Sequence, residues 1–253
     1  MLKYALGAAL VSFGFAQSAI AADVAPAPPP VSDWHVDMTL YGWAPLATGQ
    51  VGVHGLGPAD IDTTYSDLID SLKNLDGVFM GTAEVRYDNW GVLGDLMWID
   101  MTKDKTGRFG LLTATLDASA LIGTGAITYS FIDTPEAHLE GLLGARYWSM
   151  NTSLSLSSGA SASAGLNWVD PMVGLKGSYN ISPKVYLAGT GAIGGFGVGS
   201  QFEWDATASI GYRFNNNFSA SLGYRALGVN YNRDGNVIDL TLHGPVVGLT
   251  ATF

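Results

Sequence analysis

The chain has 253 residues, of which 13% are charged and 47% hydrophobic, with 33 glycines, no cysteine and a formal net charge of −10. Only 12 residues are Lys or Arg, which argues against nucleic acid as a partner, because phosphate binding needs clustered cations. The missing cysteines exclude disulfide staples and thiolate chemistry, and so apolar a composition points to a solvent other than water.

The opening residues 1–21, MLKYALGAALVSFGFAQSAIA, read as a secretory signal peptide. Lys3 precedes an apolar run from Tyr4 to Phe15, and Ala19 and Ala21 supply the small-residue cleavage pattern. That run is too short for a spanning helix. Residues 22–33, rich in Pro and Ala, are an expected periplasmic tether. Residues 34–253 are long enough for one all-β domain. The best helical span among them, residues 118–132, is short and full of Gly, Thr and Ser. A closed antiparallel transmembrane β-barrel is the remaining way to cross a bilayer.

Strands are predicted at residues 34–43, 77–88, 90–102, 111–132, 137–150, 166–180, 184–195, 201–214, 218–231 and 237–253. Ten is thus the expected count, with eight and twelve as alternatives. The alternation is plainest in QFEWDATASIGYRFN, where Phe202, Trp204, Ile210, Tyr212 and Phe214 share one face and Glu203, Asp205 and Arg213 the other. In FSASLGYRAL, Phe218, Leu222 and Tyr224 oppose Arg225. In HLEGLLGARYW, Leu139, Leu143 and Tyr147 oppose His138, Glu140 and Arg146. Aromatics at strand ends suit the interface girdles of a membrane barrel. Short connections (88–89, 133–136, 181–183, 215–217) alternate with mostly longer ones (44–76, 103–110, 151–165, 196–200, 232–236). That is the pattern of periplasmic turns and outer loops, and an even count puts both chain ends in the periplasm.

The long segment 44–76 holds Asp60, Asp62, Asp67, Asp70 and Asp76 against a single Lys73. D-I-D at 60–62 invites a calcium reading but lacks the glycine and terminal glutamate of an EF-hand loop, so a solvated acidic loop is expected. YSDLIDSLKNL can form a short amphipathic helix, with Leu68, Leu72 and Leu75 on one face and Ser66 or Asp67 as N-cap, folded over the barrel mouth or into it.

GTGAIG at 189–194 fits the G-x-G-x-x-G fingerprint of dinucleotide sites. No helix former run follows it, Asp205 comes too early for the ribose carboxylate, and a near copy at Gly123 lies mid-strand. Small residues that let a narrow barrel curve are the simpler reading.

Inward positions carry Glu84, Arg86, Asp117, Glu140, Arg146, Asp170, Lys176, Glu203, Asp205, Arg213, Arg225 and Asp239. Both signs are present. The interior is therefore either a packed network of charges and hydrogen bonds or a thin polar path for small solutes. Four histidines (His35, His54, His138, His243) pair with no serine or acid as a nucleophilic site needs, so no catalytic, metal or cofactor residues are assigned.

The chain ends GPVVGLTATF, with Val247, Leu249, Ala251 and Phe253 on one face. A terminal aromatic on an apolar stripe resembles the signal read by the outer-membrane barrel-assembly machinery. Upstream, Ile238, Leu240 and Leu242 have the opposite parity, and a bulge at Gly244–Pro245 is the expected switch.

Several stretches resemble a family of proteobacterial outer-membrane β-barrel proteins of no established activity, among the small porin-like and OmpA-type barrels. They are YGWAPLATGQVGV, YSDLIDSL, RYDNWGVLGDLMWIDM, NWVDPMVGLKGSYNIS, GGFGVGSQFEWDATASIGYRF, LGYRALGVNY and GPVVGLTATF. The resemblance implies an exported barrel in a bacterial outer membrane, with lipid, lipopolysaccharide and the assembly machinery as partners and a monomer as the expected state. It brings no catalytic residues. The roles left open are a structural or surface protein with a filled lumen, a narrow porin-like channel, and a loop-mediated binder of lipopolysaccharide, cations or host components.

Overall fold

The computed structural model describes residues 34–52, 58–106, 113–159 and 161–253. The signal peptide and tether assigned to residues 1–33, and His54, lie outside the described residues. The elements in chain order are β1 (Trp34–Trp43), β2 (Leu46–Gly52), β3 (Ala59–Asp62), α1 (Tyr65–Leu72), β4 (Leu75–Tyr87), β5 (Trp90–Thr106), β6 (Thr113–Asp133), β7 (Ala137–Leu156), β8 (Ser161–Asn180), β9 (Val185–Gly194), β10 (Phe202–Arg213), β11 (Phe218–Arg233) and β12 (Asn236–Thr252).

Ten strands, β1 and β4 to β12, pair antiparallel with their neighbours, and β1 closes on β12 through Asp37↔Thr252 to Trp43↔Val246. The closure leaves no open edge at the β1–β12 seam, as a structure in hydrocarbon requires. The outward face carries the apolar residues of each alternation: Phe202, Ile210, Tyr212, Phe214, Phe218, Leu222, Leu143 and Leu249 are all exposed. Phe202 and Tyr212 stand on one outward row of β10. Ten residues of strand span about 33 Å at ~3.3 Å each, or about 25 Å along the axis at a tilt of ~40°. That is the height of the apolar band of a membrane barrel. At the short-turn end, edge-to-face or tilted ring pairs Trp34–Tyr87 and Trp90–Tyr129, each 4.9 Å apart, build the girdle.

Three expectations are corrected. Segment 44–76 is not loop throughout: β2 extends the wall by pairing with β12 above the end of β1, β3 adds to β2, and α1 follows. Residues 103–106, 151–156 and 161–165, expected in loops, continue β5, β7 and β8. Finally, β12 contains no bulge at Gly244–Pro245. Its register with β11 runs unbroken from Arg233↔Asn236 to Phe218↔Ala251. Ile238, Leu240 and Leu242 turn inward onto an apolar core, and Asp239 points outward, not into the lumen.

Gly244 and Pro245 have another explanation. β12 pairs with β2 up to His243 and with β1 from Val246. Between them no neighbour needs the N–H that proline lacks. The β1–β2 turn crosses there, and a Cβ on Gly244 would sit 2.2 Å from the Ala44 carbonyl oxygen.

Candidate functional site

The lumen is the one place where the barrel gathers chemistry, in three layers. Nearest the short turns, Lys176 of β8 bridges the barrel. Its Nζ pairs with Glu84 of β4 and lies 3.0 Å from Glu140 of β7. Thr128 donates to Glu84 at 3.1 Å. The His138 ring lies 3.3 Å from Glu140 and 3.2 Å from Nη1 of Arg86, whose other nitrogen is 4.0 Å from Asp37. Arg213 of β10 stacks over the Tyr186 ring of the neighbouring β9 at 4.5 Å at the same end.

The middle layer is centred on Asp205 of β10. It accepts from Arg146 of β7 at 2.8 Å and from Arg225 of β11 at 2.7 and 3.1 Å. Arg225 also reaches Asp95 of β5 at 3.8 Å and donates to the Tyr41 hydroxyl at 3.2 Å. Tyr41 donates in turn to Asp95 at 2.8 Å, as does Thr82. The Arg146–Asp205, Arg225–Asp95, Arg225–Tyr41 and Tyr41–Asp95 contacts cross the lumen between strands that are not neighbours, while Arg225–Asp205 and Thr82–Asp95 join adjacent strands. Taking such charges out of water costs several kcal/mol per ion unless each finds its partner, so the pairing is what makes a charged interior tenable.

The outer layer is apolar. Trp43, Met80, Met97, Ile122, Trp148, Trp168, Leu227, Val229, Tyr231 and Ile238 form one cluster, none more than 7% exposed. Trp148 and Trp168 stack at 5.4 Å, and Trp168 stacks on Tyr231 at 4.4 Å. A buried indole N–H seeks an acceptor. Trp148 donates to Glu203 and Trp168 to Asp170, at 2.9 and 2.8 Å, whereas the Trp43 N–H has no acceptor among the described residues. Asp170 also accepts from the backbone N–H of Ser200 at 2.6 Å, tying the β9–β10 turn into the lumen. That turn, the GGFGVGS stretch, has positive φ at Gly195, Phe196 and Gly197, and a Cβ on Gly199 would meet Asp170 Oδ1 at 2.5 Å. GTGAIG lies in β9 and leads into this turn, not into a helix. Its glycines serve the wall, not a dinucleotide.

Of the residues expected in the lumen, Glu84, Arg86, Glu140, Arg146, Asp170, Lys176, Glu203, Asp205, Arg213 and Arg225 are there. Asp117 is not. The register of β6 with β5 and β7, continuous from Asp117 to the inward Thr124 and Thr128, places it on the outward face, where Thr102 and Ser153 donate to it at 2.9 and 3.2 Å. Asp37, Tyr41 and Asp95 also face the lumen; Asp37 and Tyr41 share one face of the ten-residue β1, whereas Asp95 stands among Leu93, Met97 and Ile99 on its own face of β5, where alternation gives no signal. The acidic residues of the first loop are dispersed. Asp60 accepts from Gln50 at 2.8 Å, Asp67 in the first turn of α1 accepts from the Thr64 backbone N–H, and Asp70 pairs with Lys73 at 2.8 Å; Asp62 is exposed on β3. The cap is Thr64, not Ser66 or Asp67, and α1 buries none of its residues, so it does not fill the lumen. His35 lies beside Asp37 at the short-turn end, and His243 is on the outward side, 2.6 Å from the Tyr224 hydroxyl. Phe253 is exposed at the end of the seam, its backbone bonded both ways to Val36.

No protein-family model matches the chain, and no curated protein does. Among solved structures it is similar to the outer membrane protease OmpT from Escherichia coli, at 12% identity over 87% of this chain and 96% of that one, with a TM-score of 0.53. It also matches Ail, the attachment invasion locus protein of Yersinia pestis (14% identity, 88% and 100% covered, TM-score 0.36). A third match is Neisserial surface protein A (15%, 88% and 98%, TM-score 0.30). The first of these shows the fold: a closed antiparallel barrel of the outer-membrane type.

Proposed function

We propose that this chain is a bacterial outer-membrane barrel with a closed lumen and a structural or surface role, and not a passive channel. The observation that carries this reading is the stacked Trp148–Trp168–Tyr231 layer and the apolar side chains around it, buried across the outer half of the lumen. Beneath it the Arg146–Asp205–Arg225 bonds span the same bore. A permeating ion would have to displace both. The charges are better read as braces that hold opposite walls together than as a solute path.

The export signal, the girdles and the fold support placement in the outer membrane, with lipid and lipopolysaccharide around the wall. The exposed Phe253 side chain, held at the seam by its backbone bonds to Val36, suits a contact with the assembly machinery. The outer ends of β5 to β8 run well past the girdle residues Trp98 and Tyr147 and are the surface presented to the outside. The protease activity in the name of the Escherichia coli barrel is not carried over. At 12% identity the likeness is one of fold, and of the described histidines His35 and His138 sit at the short-turn end and His243 on the lipid-facing side. The purified mature protein in planar bilayers is expected to show no stepwise current. A steady unitary conductance in folded, heat-shiftable protein would overturn the closed-lumen reading in favour of the narrow channel.

A further inference from the structure

Beyond the outer girdle the wall has a gap. The ladder of β8 with β9 stops at Met172↔Gly194, whereas its ladder with β7 continues to Ser155↔Ser161. β9 and β10 are short, and the turn between them is tied down at Asp170 by the bond from Ser200 N–H. Residues 161–167 of β8 therefore rise past that turn with one edge paired to β7 and the other unpaired among the described residues.

The chemistry of that edge follows from its register. The Pro171 carbonyl accepts from Gly195 N–H on the β9 side. Backbone groups of successive strand residues point to alternate sides, so Ser161, Ser163, Gly165 and Asn167 turn both N–H and C=O into the gap. All four are exposed. Sheets blunt such edges with charge, proline or cover, and other edges at this end are treated so. Across the same gap, the Gln201 side chain accepts from the Asn232 N–H and donates to its carbonyl, both at 2.8 Å, closing the edge of β11. Past Met101, the edge of β5 carries Lys103, Asp104 and Lys105, and its Thr102 N–H is bonded to the Asn74 carbonyl. β3 is four residues long and holds two aspartates. Residues 161–167 of β8, SASAGLN, contain neither charge nor proline. At the foot of their edge the turn offers Phe196 and Val198, 53% and 60% exposed.

The spacing of these groups sets the occupant. N–H and C=O pairs on every second residue, about 6.6 Å apart, are complementary to another extended backbone. A second copy in the same membrane cannot supply it. The two-fold axis between such copies lies along the bilayer normal, and strands tilted by ~40° would then cross at about 80°, too steeply for a ladder. We infer that residues 161–167 of β8 are a docking edge for an extended, uncharged segment of another polypeptide, added antiparallel beside β8 with one end against Phe196 and Val198. The inference rests on the outer-membrane reading and gives its surface role a class of partner.

The probe is a fluorescent peptide of residues 149–155, SMNTSLS, the part of β7 that already pairs antiparallel with this stretch of β8 through its other edge. A second peptide is N-methylated at alternate residues so that it cannot donate to an edge. Binding to the folded, full-length mature protein in micelles is followed by fluorescence anisotropy, for the wild type, Ser163→Pro and Ser163→Ala. Each protein is first checked by its mobility shift on boiling in SDS. Ser163→Pro deletes one N–H facing the gap and leaves the ladder with β7 intact. Saturable binding of SMNTSLS to the wild type and to Ser163→Ala is expected, weakened about tenfold by Ser163→Pro, the scale of one backbone hydrogen bond. The N-methylated peptide should not bind the wild type, a comparison that stands even if Ser163→Pro fails to fold. No binding of SMNTSLS in heat-shiftable wild type, or binding indifferent to both the proline and the N-methylation, would overturn the inference alone. Clustering of vesicles that carry the wild type, abolished by Ser163→Pro, would overturn it in favour of a second copy in an opposed membrane. A wild type that shows no mobility shift would overturn the membrane reading itself.

Discussion

Asp205 holds two guanidiniums at once, and it does so in the least hydrated part of the barrel. Removing one partner of a buried pair leaves the other charge uncompensated, which costs about 3–5 kcal/mol. Asp205→Asn leaves Arg146 without its carboxylate partner and Arg225 with Asp95 at 3.8 Å as its remaining one, and is expected to lose about that much. Denaturant unfolding in detergent checks it, together with a fall in the temperature at which the protein shifts on SDS gels. Glu203 is the useful contrast. Its described partner is the Trp148 indole, not a cation, at 2.9 Å, and the outer and middle layers hold Asp95, Asp170, Glu203 and Asp205 against only Arg146 and Arg225. Glu203→Gln keeps an acceptor for the indole and removes one surplus charge, so the change should stay within about 1 kcal/mol of wild type, the scale of a single net hydrogen bond. Losses near zero from both of these isosteric substitutions would mean that the carboxylates act by volume and neutral hydrogen bonding and not by charge pairing.

At the scale of the element, α1 is an eight-residue helix that packs little of itself, so its cap decides its stability. Thr64 and Asp67 form a reciprocal capping box, and Asp70 pairs with Lys73. Both carboxyls are held below the ordinary aspartate value of 3.8 by those bonds. A depressed folded value means that the stabilisation is complete above the unfolded value and vanishes as pH falls through the lower, folded one. A spin label at Ile69→Cys in micelles should therefore gain mobility only below about pH 4, and Thr64→Val should remove most of that dependence. The helix was legible because period 3.6 survives in eight residues, but of the Leu68–Leu72–Leu75 face read from the sequence Leu75 lies in β4, and the apolar residues left exposed are Tyr65, Ile69 and Leu72. Its cap was not, since Thr64, Ser66 and Asp67 are all good caps and geometry alone chooses among them. The strand pattern was equally legible wherever lumen and lipid differ in polarity, as along β10. It misled on β12, where both faces are apolar at different heights: Ile238 and Leu240 line the lumen while Val247 and Leu249 face lipid. Alternation reports a difference between two faces, and a bulge was inferred only because the lumen was taken to be polar throughout. Asp117 failed for a related reason. Above the girdle the outward face meets water, and a carboxylate there no longer marks the inside.

The whole molecule is layered along its axis as well as around it: charges near the short turns, guanidinium braces in the middle, stacked indoles towards the outer end. That asymmetry has a direction only if the short turns face the periplasm, and the chain offers a direct test because any introduced cysteine is the sole thiol. Ser158, in the β7–β8 connection, and Asn216, in the β10–β11 turn, are both exposed and at opposite ends. On intact cells a membrane-impermeant maleimide is expected to label Ser158→Cys and to spare Asn216→Cys until the outer membrane is permeabilised. A closed lumen makes the second half of that expectation strict, since the reagent has no route through the barrel. The reverse pattern would invert the molecule and place the indole layer on the periplasmic side. Labelling of both sites on intact cells, in folded protein, would mean that the reagent passes the lumen, and the braces and the aromatic layer would then have to be moving parts instead of fixed ones.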